Sequence, residues 1–243
     1  MATVAEHYDK VLSDVYSWML GGFESAIQRN ADFFQNNGFT PKDSGIAIDL
    51  GAGCGFQSIP LAQAGYSVTA IDVDSKLLNE LRRNRGELKI DIVQDDLANF
   101  DKVVQSDAEL IICMTDTILH LDSEDKVKSV FSKVGKNLES GGKFVLSFRD
   151  LTYELKELDR FLPVKSDENI IMTCFLEYEP ETVKVHDIVY KKRIGRWELF
   201  KSYYRKLRLS EKWVINQLYA CNLKNIKSSV ERNGFITIVA QKG

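Results

Sequence analysis

The feature that most constrains the fold is a regular alternation of apolar and amphipathic segments between residues 45 and 150. Short apolar segments are typical of buried strands, and amphipathic segments of this length are typical of helices. Strands are predicted at residues 46–50, 66–71, 88–93, 108–114 and 143–148, and helices at 56–64, 76–85 and 123–138. Repeated strand–helix units form a parallel sheet with helices on both faces.

The chain on either side of this alternation has other patterns. Residues 4–20 and 23–37 are predicted to form two helices, so residues 1–40 are expected to be a helical lid. An antiparallel meander is predicted within an insertion at 165–209, with strands at 170–178, 182–193 and 197–209, and residues 151–160 are compatible with one helix. A helix capped by Ser210 and two strands around Asn233 and Gly234, at 223–230 and 235–241, return the chain to the sheet.

The predicted architecture is therefore an α/β, Rossmann-like, doubly wound sheet of seven strands. The sheet is mostly parallel with an antiparallel C-terminal strand, and residues 45–150 form its ligand-binding core. Residues 210–243 complete the sheet, and one domain is expected to span residues 1–243.

The charge and cysteine content exclude several classes of partner. The chain has 32 basic and 35 acidic residues and a net charge of −3, so no overall positive field favours nucleic acid. Its four cysteines form no Cys-x-x-Cys or Cys/His pattern, and neither a disulfide framework nor a metal site is predicted. No apolar run approaches the roughly 18 residues of a membrane span. A cytoplasmic protein without nucleic-acid, membrane or metal partners is expected.

The turn after the first strand is rich in glycine and reads Asp49-Leu50-Gly51-Ala52-Gly53-Cys54-Gly55, here termed the glycine loop. Glycines let the backbone approach a ligand without a Cβ clash, and free amides at a helix start can bind a carboxylate. Asp72 lies at the end of the next strand, where its carboxylate can accept both hydrogen bonds of a ribose diol. The spacing is G-x-G-x-G instead of the dinucleotide G-x-G-x-x-G, and Asp49 would repel a pyrophosphate but attract a cation. The loop therefore favours S-adenosylmethionine over NAD.

These motifs resemble those of the class I S-adenosylmethionine-dependent methyltransferase family of the small-molecule type, over residues 45–243. The resemblance implies S-adenosyl-L-methionine as cofactor and S-adenosyl-L-homocysteine as product. The residues that it places at the cofactor follow the first four strands: Asp49, Gly51, Ala52, Gly53, Gly55, Asp72, Val73, Asp96, Leu97 and Met114. Asp49 is expected near the methionine ammonium, Asp72 at the ribose and Asp96 near the adenine amine. Asp95 and Thr115 stand where the family commonly has glycine.

The acceptor side is predicted from residues after the fourth strand. Residues 114–121, MTDTILHL, are similar to a motif of small-molecule methyltransferases, which makes Asp116 and His120 candidates for orienting or deprotonating the acceptor. The reference pKa of histidine suits a base, although a histidine in this position equally often packs or forms a structural hydrogen bond. Arg149 could bind an acidic substrate or pair with Asp150 or another acid, and His186 is a weaker substrate-binding candidate.

Aromatic residues recur at near-helical spacing in the predicted lid, at Tyr8, Tyr16 and Trp18. Packing of an apolar face on the domain explains the pattern, and so does an aromatic wall beside a sulfonium, which gains about 0.5–2 kcal/mol from cation–π attraction. Tyr16 and Trp18 are the expected cofactor neighbours.

The sequence thus predicts an enzyme that moves a methyl group to a nitrogen or oxygen atom of a small molecule by in-line displacement. Alignment and water exclusion would supply most of the catalysis. A cofactor-binding sensor or partner subunit that does not turn over remains an alternative, as does, with less support, a nicotinamide-dependent oxidoreductase. A homodimer is compatible with the sequence.

Overall fold

The computed structural model describes residues 4–104, 106–231 and 234–243, which form two β-sheets. The strands, in chain order, are β1 (Ile46–Leu50), β2 (Ser67–Asp72), β3 (Ile90–Gln94), β4 (Ala108–Cys113), β5 (Leu138–Arg149), β6 (Phe161–Ser166), β7 (Ile170–Tyr178), β8 (Thr182–Arg193), β9 (Arg196–Leu207), β10 (Leu223–Val230) and β11 (Phe235–Lys242). The larger sheet has seven strands in the order β10-β11-β5-β4-β1-β2-β3.

The pairing within the larger sheet confirms the predicted topology. Strands β1 to β5 pair in parallel, whereas β11 pairs antiparallel with both β5 and β10. All six residues of β4 are buried, as expected of a central strand that helices cover on both faces. Asn233 lies outside the described residues, so the turn predicted between β10 and β11 stays a prediction.

Helices cover both faces of the larger sheet. They are α1 (Val4–His7), α2 (Tyr16–Met19), α3 (Phe23–Asn36), α4 (Ser58–Gln63), α5 (Ser75–Asn84), α6 (Phe100–Val103), α7 (Glu124–Asn137) and α8 (Glu211–Ala220). Successive strand residues point to opposite faces, so Ala47 and Ile112 pack towards α3, α4 and α5, whereas Ile48 and Ile111 pack towards α7 and α8. In the described part of the chain, every helix is too short or too polar to cross a membrane.

Side chains cap three of these helices at their first turn, one of them the predicted Ser210. The side chains of Asp74, Ser123 and Ser210 each accept a hydrogen bond from the backbone N–H three residues further on. Such caps satisfy amide groups that have no partner within the helix.

The second sheet, here termed the inserted sheet, is antiparallel in the order β6-β7-β8-β9. It has one strand more than predicted, β6. The prediction of a helix over residues 151–160 is wrong, because within this range only Glu157–Arg160 are helical, as a 3₁₀ turn before β6. The carbonyl oxygens of Leu151 and Thr152 instead accept hydrogen bonds from the Arg208 guanidinium. A distant contact therefore replaces the local helical pattern.

Residues 4–20, here termed the N-terminal segment, form short turns in place of the predicted continuous helix. A π turn and a 3₁₀ turn separate α1 from α2. The buried His7 ring bonds through Nε2 to Asp187 Oδ2 of the inserted sheet at 2.8 Å, and Ser13 Oγ donates to Asp74 Oδ2 at 2.9 Å. The segment is hydrogen-bonded at two points, to the inserted sheet and to Asp74, and it does not form one continuous helix.

Candidate active site

A pocket of about 270 Å³ lies where the order of the larger sheet reverses, between β1 and β4. Ligands of open α/β sheets bind at this position, outside the carboxyl ends of the strands. The predicted residues that line the pocket are Tyr16, Gly51, Gly53, Asp72, Val73, Asp96, Leu97 and His120. A larger surface groove of about 1060 Å³ contains none of the predicted site residues.

The glycine loop needs glycine for both its backbone and its packing. Gly51, Gly53 and Gly55 have φ angles of 81°, 53° and 91°, which other residues adopt at a cost. A Cβ on Gly51 would lie 2.2 Å from Thr117 Cγ2, and one on Gly55 would lie 2.3 Å from Leu81 Cδ1. The loop can therefore present bare backbone to the pocket at Gly51 and Gly53.

Asp72 is fixed at the end of β2 by the adjacent backbone. Its Oδ2 accepts a hydrogen bond from Gly53 N and its Oδ1 accepts one from Asp74 N, each at 2.8 Å. Burial raises the pKa of Asp72, although these amide donors oppose the rise. Val73 beside it is 43% exposed and lines the same pocket. The pair offers a hydrogen-bond acceptor for hydroxyl groups next to an apolar surface.

The third predicted motif also reaches the pocket. Asp96 caps the 3₁₀ turn Leu97–Asn99 by accepting a hydrogen bond from Ala98 N at 2.8 Å. Asp96 and Leu97 both line the pocket wall. Polar groups at the ends of β2 and β3 therefore face one space.

Four residues predicted at the cofactor lie behind the pocket wall: Asp49, Ala52, Gly55 and Met114. Asp49 accepts a hydrogen bond from Ser58 Oγ at 2.6 Å, and burial raises its pKa to about 7. Met114 packs in the core beneath α3 and α4. Asp49, Ala52 and Gly55 belong to the glycine loop itself, and the contact of all four residues with a cofactor stays a prediction.

The N-terminal segment brings two tyrosines to the pocket, Tyr8 and Tyr16. Tyr16 stacks on Phe56 with ring centroids 6.0 Å apart. Trp18, expected beside the cofactor, points instead to the inserted sheet, where its Nε1 donates to Asp167 Oδ2. The prediction treated residues 4–20 as one regular helix, which they do not form.

The backbone at the end of β4 is unusual at two consecutive residues. Thr115 and Asp116 have φ angles of 58° and 67°, in the left-handed region. Thr115 N donates to Ser147 Oγ at 2.8 Å, and Asp116 N donates to Ser147 O at 3.0 Å. Thr115 thus adopts a conformation that glycine, common at this position in the family, takes easily.

His120 is brought to the pocket as a neutral ring. It stacks on Tyr204 at 5.1 Å between centroids and meets the Tyr8 ring at 5.9 Å. Its Nδ1 is buried and has no hydrogen-bond partner among the described residues. Burial, together with the positive charge of Lys206, lowers the pKa of His120 to about 3. The imidazole can form hydrogen bonds, but it is a weak base.

Asp116 lies outside the pocket lining and is occupied by two cations. Its Oδ2 accepts hydrogen bonds from Lys206 Nζ and Arg149 Nη1, both at 2.7 Å, and its Oδ1 accepts one from Arg149 N at 2.8 Å. Burial alone would raise the pKa of Asp116, but the two positive charges hold it below its usual range. Of the two roles predicted for Arg149, pairing with an acid is the one that the structure displays.

The inserted sheet has two faces of different character. Its inner face, which covers the N-terminal segment, carries Asp187, Tyr204 and Lys206, whereas His186 lies on the outer face. His186 Nε2 bonds there to Glu177 Oε2 at 3.1 Å. Because strand residues alternate in direction, the structure does not bring His186 to the pocket.

Sequence reasoning missed several residues around the pocket and His120. Thr117 and Leu77 line the pocket, and Tyr204 and Lys206 lie behind His120. Strand alternation places Tyr204 and Lys206 on one face of β9, which is a usable signal. Nothing local, however, indicates that this face meets Asp116.

The comparisons with known proteins concern the same part of the chain. A family described as "Methyltransferase domain" matches residues 47–142, which include the glycine loop, Asp72 and Asp96. The resemblance stated from the sequence motifs is thereby confirmed, with the family match covering residues 47–142 of this chain.

The curated relatives match only parts of the chain. An rRNA adenine N-6-methyltransferase of Corynebacterium diphtheriae is 35% identical over 57 residues, 24% of this chain and 22% of the relative. A glycine/sarcosine N-methyltransferase of Aphanothece halophytica is 26% identical over 112 residues, 45% of this chain and 42% of the relative. The matched part of the chain thus spans less than half the length of either relative.

Solved structures match almost the whole chain. An S-adenosylmethionine-dependent methyltransferase from Clostridium acetobutylicum is 21% identical with a TM-score of 0.71, over 97% of this chain and 96% of that one. A sugar N-methyltransferase from Streptoalloteichus is 12% identical with a TM-score of 0.74, over 100% and 95%. At these identities the likeness concerns the fold, which is the Rossmann-like class I methyltransferase fold.

Proposed function

We propose that this chain, which combines a methyltransferase domain with the class I fold, is an S-adenosylmethionine-dependent methyltransferase acting on nitrogen of a small molecule. The arrangement of the glycine loop and Asp72 around one pocket carries the proposal. When bound, S-adenosylmethionine would supply an activated methyl group, which passes to the acceptor by in-line displacement.

The residues of the pocket fit this cofactor. The Asp72 carboxylate, held by two backbone amides, would accept hydrogen bonds from the ribose hydroxyls. Asp96 and Leu97 would hold the adenine, and the exposed Val73 side chain would pack against it. The bare backbone of Gly51 and Gly53 would lie along the amino-acid part.

Two observations support a small acceptor with a nucleophilic nitrogen. The two relatives and the sugar methyltransferase described above are all named as N-methyltransferases, which favours nitrogen over oxygen. The pocket lies beneath the N-terminal segment, which the inserted sheet covers in turn, and the net charge of −3 opposes a nucleic-acid substrate.

His120 would orient the acceptor without removing its proton. Because the pKa of His120 is lowered to about 3, the neutral ring is a poor general base at physiological pH. It can instead accept a hydrogen bond from an N–H group and direct the nitrogen lone pair. Tyr8, Tyr16 and the inserted sheet would exclude water, so the rate would come mainly from alignment.

Calorimetric titration with S-adenosylhomocysteine and with NADH tests the cofactor assignment. We expect micromolar binding of S-adenosylhomocysteine only, weakened by about 10- to 150-fold in Asp72→Ala, because hydrogen bonds to a charged group contribute about 1.5–3 kcal/mol. Asp91→Ala, an exposed carboxylate on the neighbouring strand β3, is the matched control and should bind normally. Preference for NADH would overturn the assignment.

Methyl transfer from radiolabelled cofactor to a panel of small amines and matched alcohols tests the reaction. We expect turnover with amines and less with the alcohols. Tight cofactor binding with no transfer to any acceptor would support a non-catalytic sensor.

A further inference from the structure

We propose that the acceptor carries an anionic group, a carboxylate or a phosphate, which binds Lys206 and Arg149 while its nitrogen lies against His120. The part of this inference that concerns the nitrogen rests on the proposed function. The anion site itself can be tested without methyl transfer.

The first argument is an imbalance of charge. Lys206 Nζ and Arg149 Nη1 both bond to the same oxygen of Asp116, so one carboxylate faces two cations. The other buried carboxylate on this side of the inserted sheet, Asp187, bonds to His7 and Cys174. Within the described ranges, no second acidic side chain pairs with Lys206 or Arg149. Lys206 and Arg149 together carry one positive charge more than Asp116, the carboxylate that they share.

Burial makes this surplus charge effective in binding. Lys206 is 9% exposed, and charges removed from water interact more strongly because the effective dielectric constant is lower. Lys206 already pairs with Asp116 at 2.7 Å, and an incoming anion would supply a further acceptor for its remaining N–H donors. The site therefore discriminates between anionic and neutral acceptors.

Arg149 supplies the open side of the site. Its side chain is 43% exposed, and its guanidinium stacks on the Phe235 ring at 3.8 Å. A guanidinium has five N–H donors, and in the described part of the chain its only hydrogen-bond acceptor is Asp116. The remaining donors have the planar geometry that binds carboxylate or phosphate in a bidentate manner.

The position of the cations relative to His120 links the anion site to the transferring nitrogen. The Tyr204 ring contacts both groups, with the His120 centroid at 5.1 Å and Lys206 Nζ at 5.8 Å from its own centroid. Asp116 and His120 also belong to the same turn, since Leu119 N donates to Asp116 O at 2.9 Å. A single small molecule can therefore place its nitrogen at His120 and its anion at Lys206 and Arg149.

The test is a titration of the S-adenosylhomocysteine-bound protein with sodium phosphate and sodium acetate, at constant ionic strength set with sodium chloride. Thermal unfolding and calorimetry report binding. We expect stabilisation by one or both anions: phosphate alone indicates a phosphate group, acetate alone a carboxylate, and both indicate the shared chemistry. No response above chloride would overturn the inference.

Two substitutions on the same strand form a matched pair. Lys206→Gln should reduce the anion response at least about tenfold, whereas Lys201→Gln, which removes the same charge from the outer face of β9, should retain it. Equal losses in both variants would show a general charge effect and overturn the inference.

Asp116→Asn provides a readout that a purely structural role would not give. Asparagine keeps the shape and tolerates a positive φ, but it removes the internal carboxylate that competes with the ligand. Anion binding should become several-fold tighter in this variant, and unchanged or weaker binding would contradict the site. Failure of the protein to bind S-adenosylhomocysteine would overturn the proposed function alone. Absence of the anion response in a protein that does bind S-adenosylhomocysteine would overturn this inference alone.

Discussion

Thr115 places a β-branched side chain in the left-handed region at the end of β4, with a φ angle of 58°. For an L-residue this conformation costs about 1–2 kcal/mol, and more when the side chain is branched at Cβ. The hydrogen bonds from Thr115 and Asp116 to Ser147 hold the backbone in place. The wall of the pocket therefore contains a residue with a strained backbone, Thr115.

The strain can be measured by comparing Thr115→Asn with Thr115→Val. Asparagine accepts a positive φ, whereas valine keeps the branched Cβ, so the asparagine variant should be about 1 kcal/mol more stable. Urea unfolding with fluorescence detection gives the two free energies of unfolding. Equal stabilities would mean that the backbone relaxes at no cost.

Protonation of His120 makes the stability of the fold depend on pH. The pKa of His120 is about 3 in the folded chain and about 6.5 in the unfolded chain, so between these values the unfolded state binds the extra proton. Stability should therefore fall as the pH decreases from about 7 towards 4, and His120 alone should account for about 2 kcal/mol of the loss by pH 5.

The variant His120→Gln lacks this contribution. Its stability should decrease less than that of the wild type between pH 7.5 and pH 5, as followed by urea unfolding at each pH. Parallel stability curves for the two proteins would show that His120 is not desolvated in the folded state.

Strand β8 shows how the alternation of side chains along a whole element determines which residues reach the wall of the pocket. Its neighbours His186 and Asp187 point to opposite faces of the inserted sheet, and only Asp187 reaches the N-terminal segment through His7. The strand thereby connects the insertion to the wall of the pocket.

Alanine substitution at these two neighbouring positions should have unequal effects. Asp187→Ala leaves the buried His7 ring without its partner and should destabilise the protein by about 1–3 kcal/mol. It should also increase proteolytic cleavage within residues 4–20. His186→Ala, the control on the outer face, should stay within about 0.5 kcal/mol of the wild type. Similar losses in both variants would contradict the anchoring role.

Elements determined by local periodicity could be predicted from the sequence, and elements determined by distant contacts could not. Strand β4 is apolar apart from Glu109, and Ser123 precedes an amphipathic segment, so both are visible locally. Residues 151–160 depend on Arg208, which no local pattern reveals. The same holds for the site: Asp72 follows from its spacing to the glycine loop, whereas the contact between Asp116 and Lys206 joins residues 90 positions apart.

At the scale of the whole molecule, the pocket is assembled from separate parts of the chain, so a ligand that fills it should stabilise the entire fold. At 100 times its Kd, S-adenosylhomocysteine should add about 2.7 kcal/mol to the free energy of unfolding. For a chain of 243 residues this corresponds to a rise in Tm of about 5–11 °C.

Differential scanning calorimetry with and without the ligand measures this rise. Asp72→Ala, with binding weakened by about 10- to 150-fold, should keep only about a half to a tenth of the shift at the same ligand concentration, whereas Asp91→Ala should show the full shift. An equal shift in Asp72→Ala and the wild type would place the ligand outside the described pocket.

The N-terminal segment is attached to the inserted sheet by the hydrogen bond of His7 and to Asp74 by the hydrogen bond of Ser13. Tyr8 and Tyr16, which line the pocket, lie near these two attachments. These attachments use the side chains of Asp187 and Asp74, whereas the cofactor would be recognised by Asp72 and the glycine loop. Weakening one of these attachments should increase the association and dissociation rate constants of the cofactor together, so that Kd stays nearly constant. The insertion would then determine the rate of ligand exchange. Equilibrium titration does not detect this kinetic property, whereas stopped-flow fluorescence does.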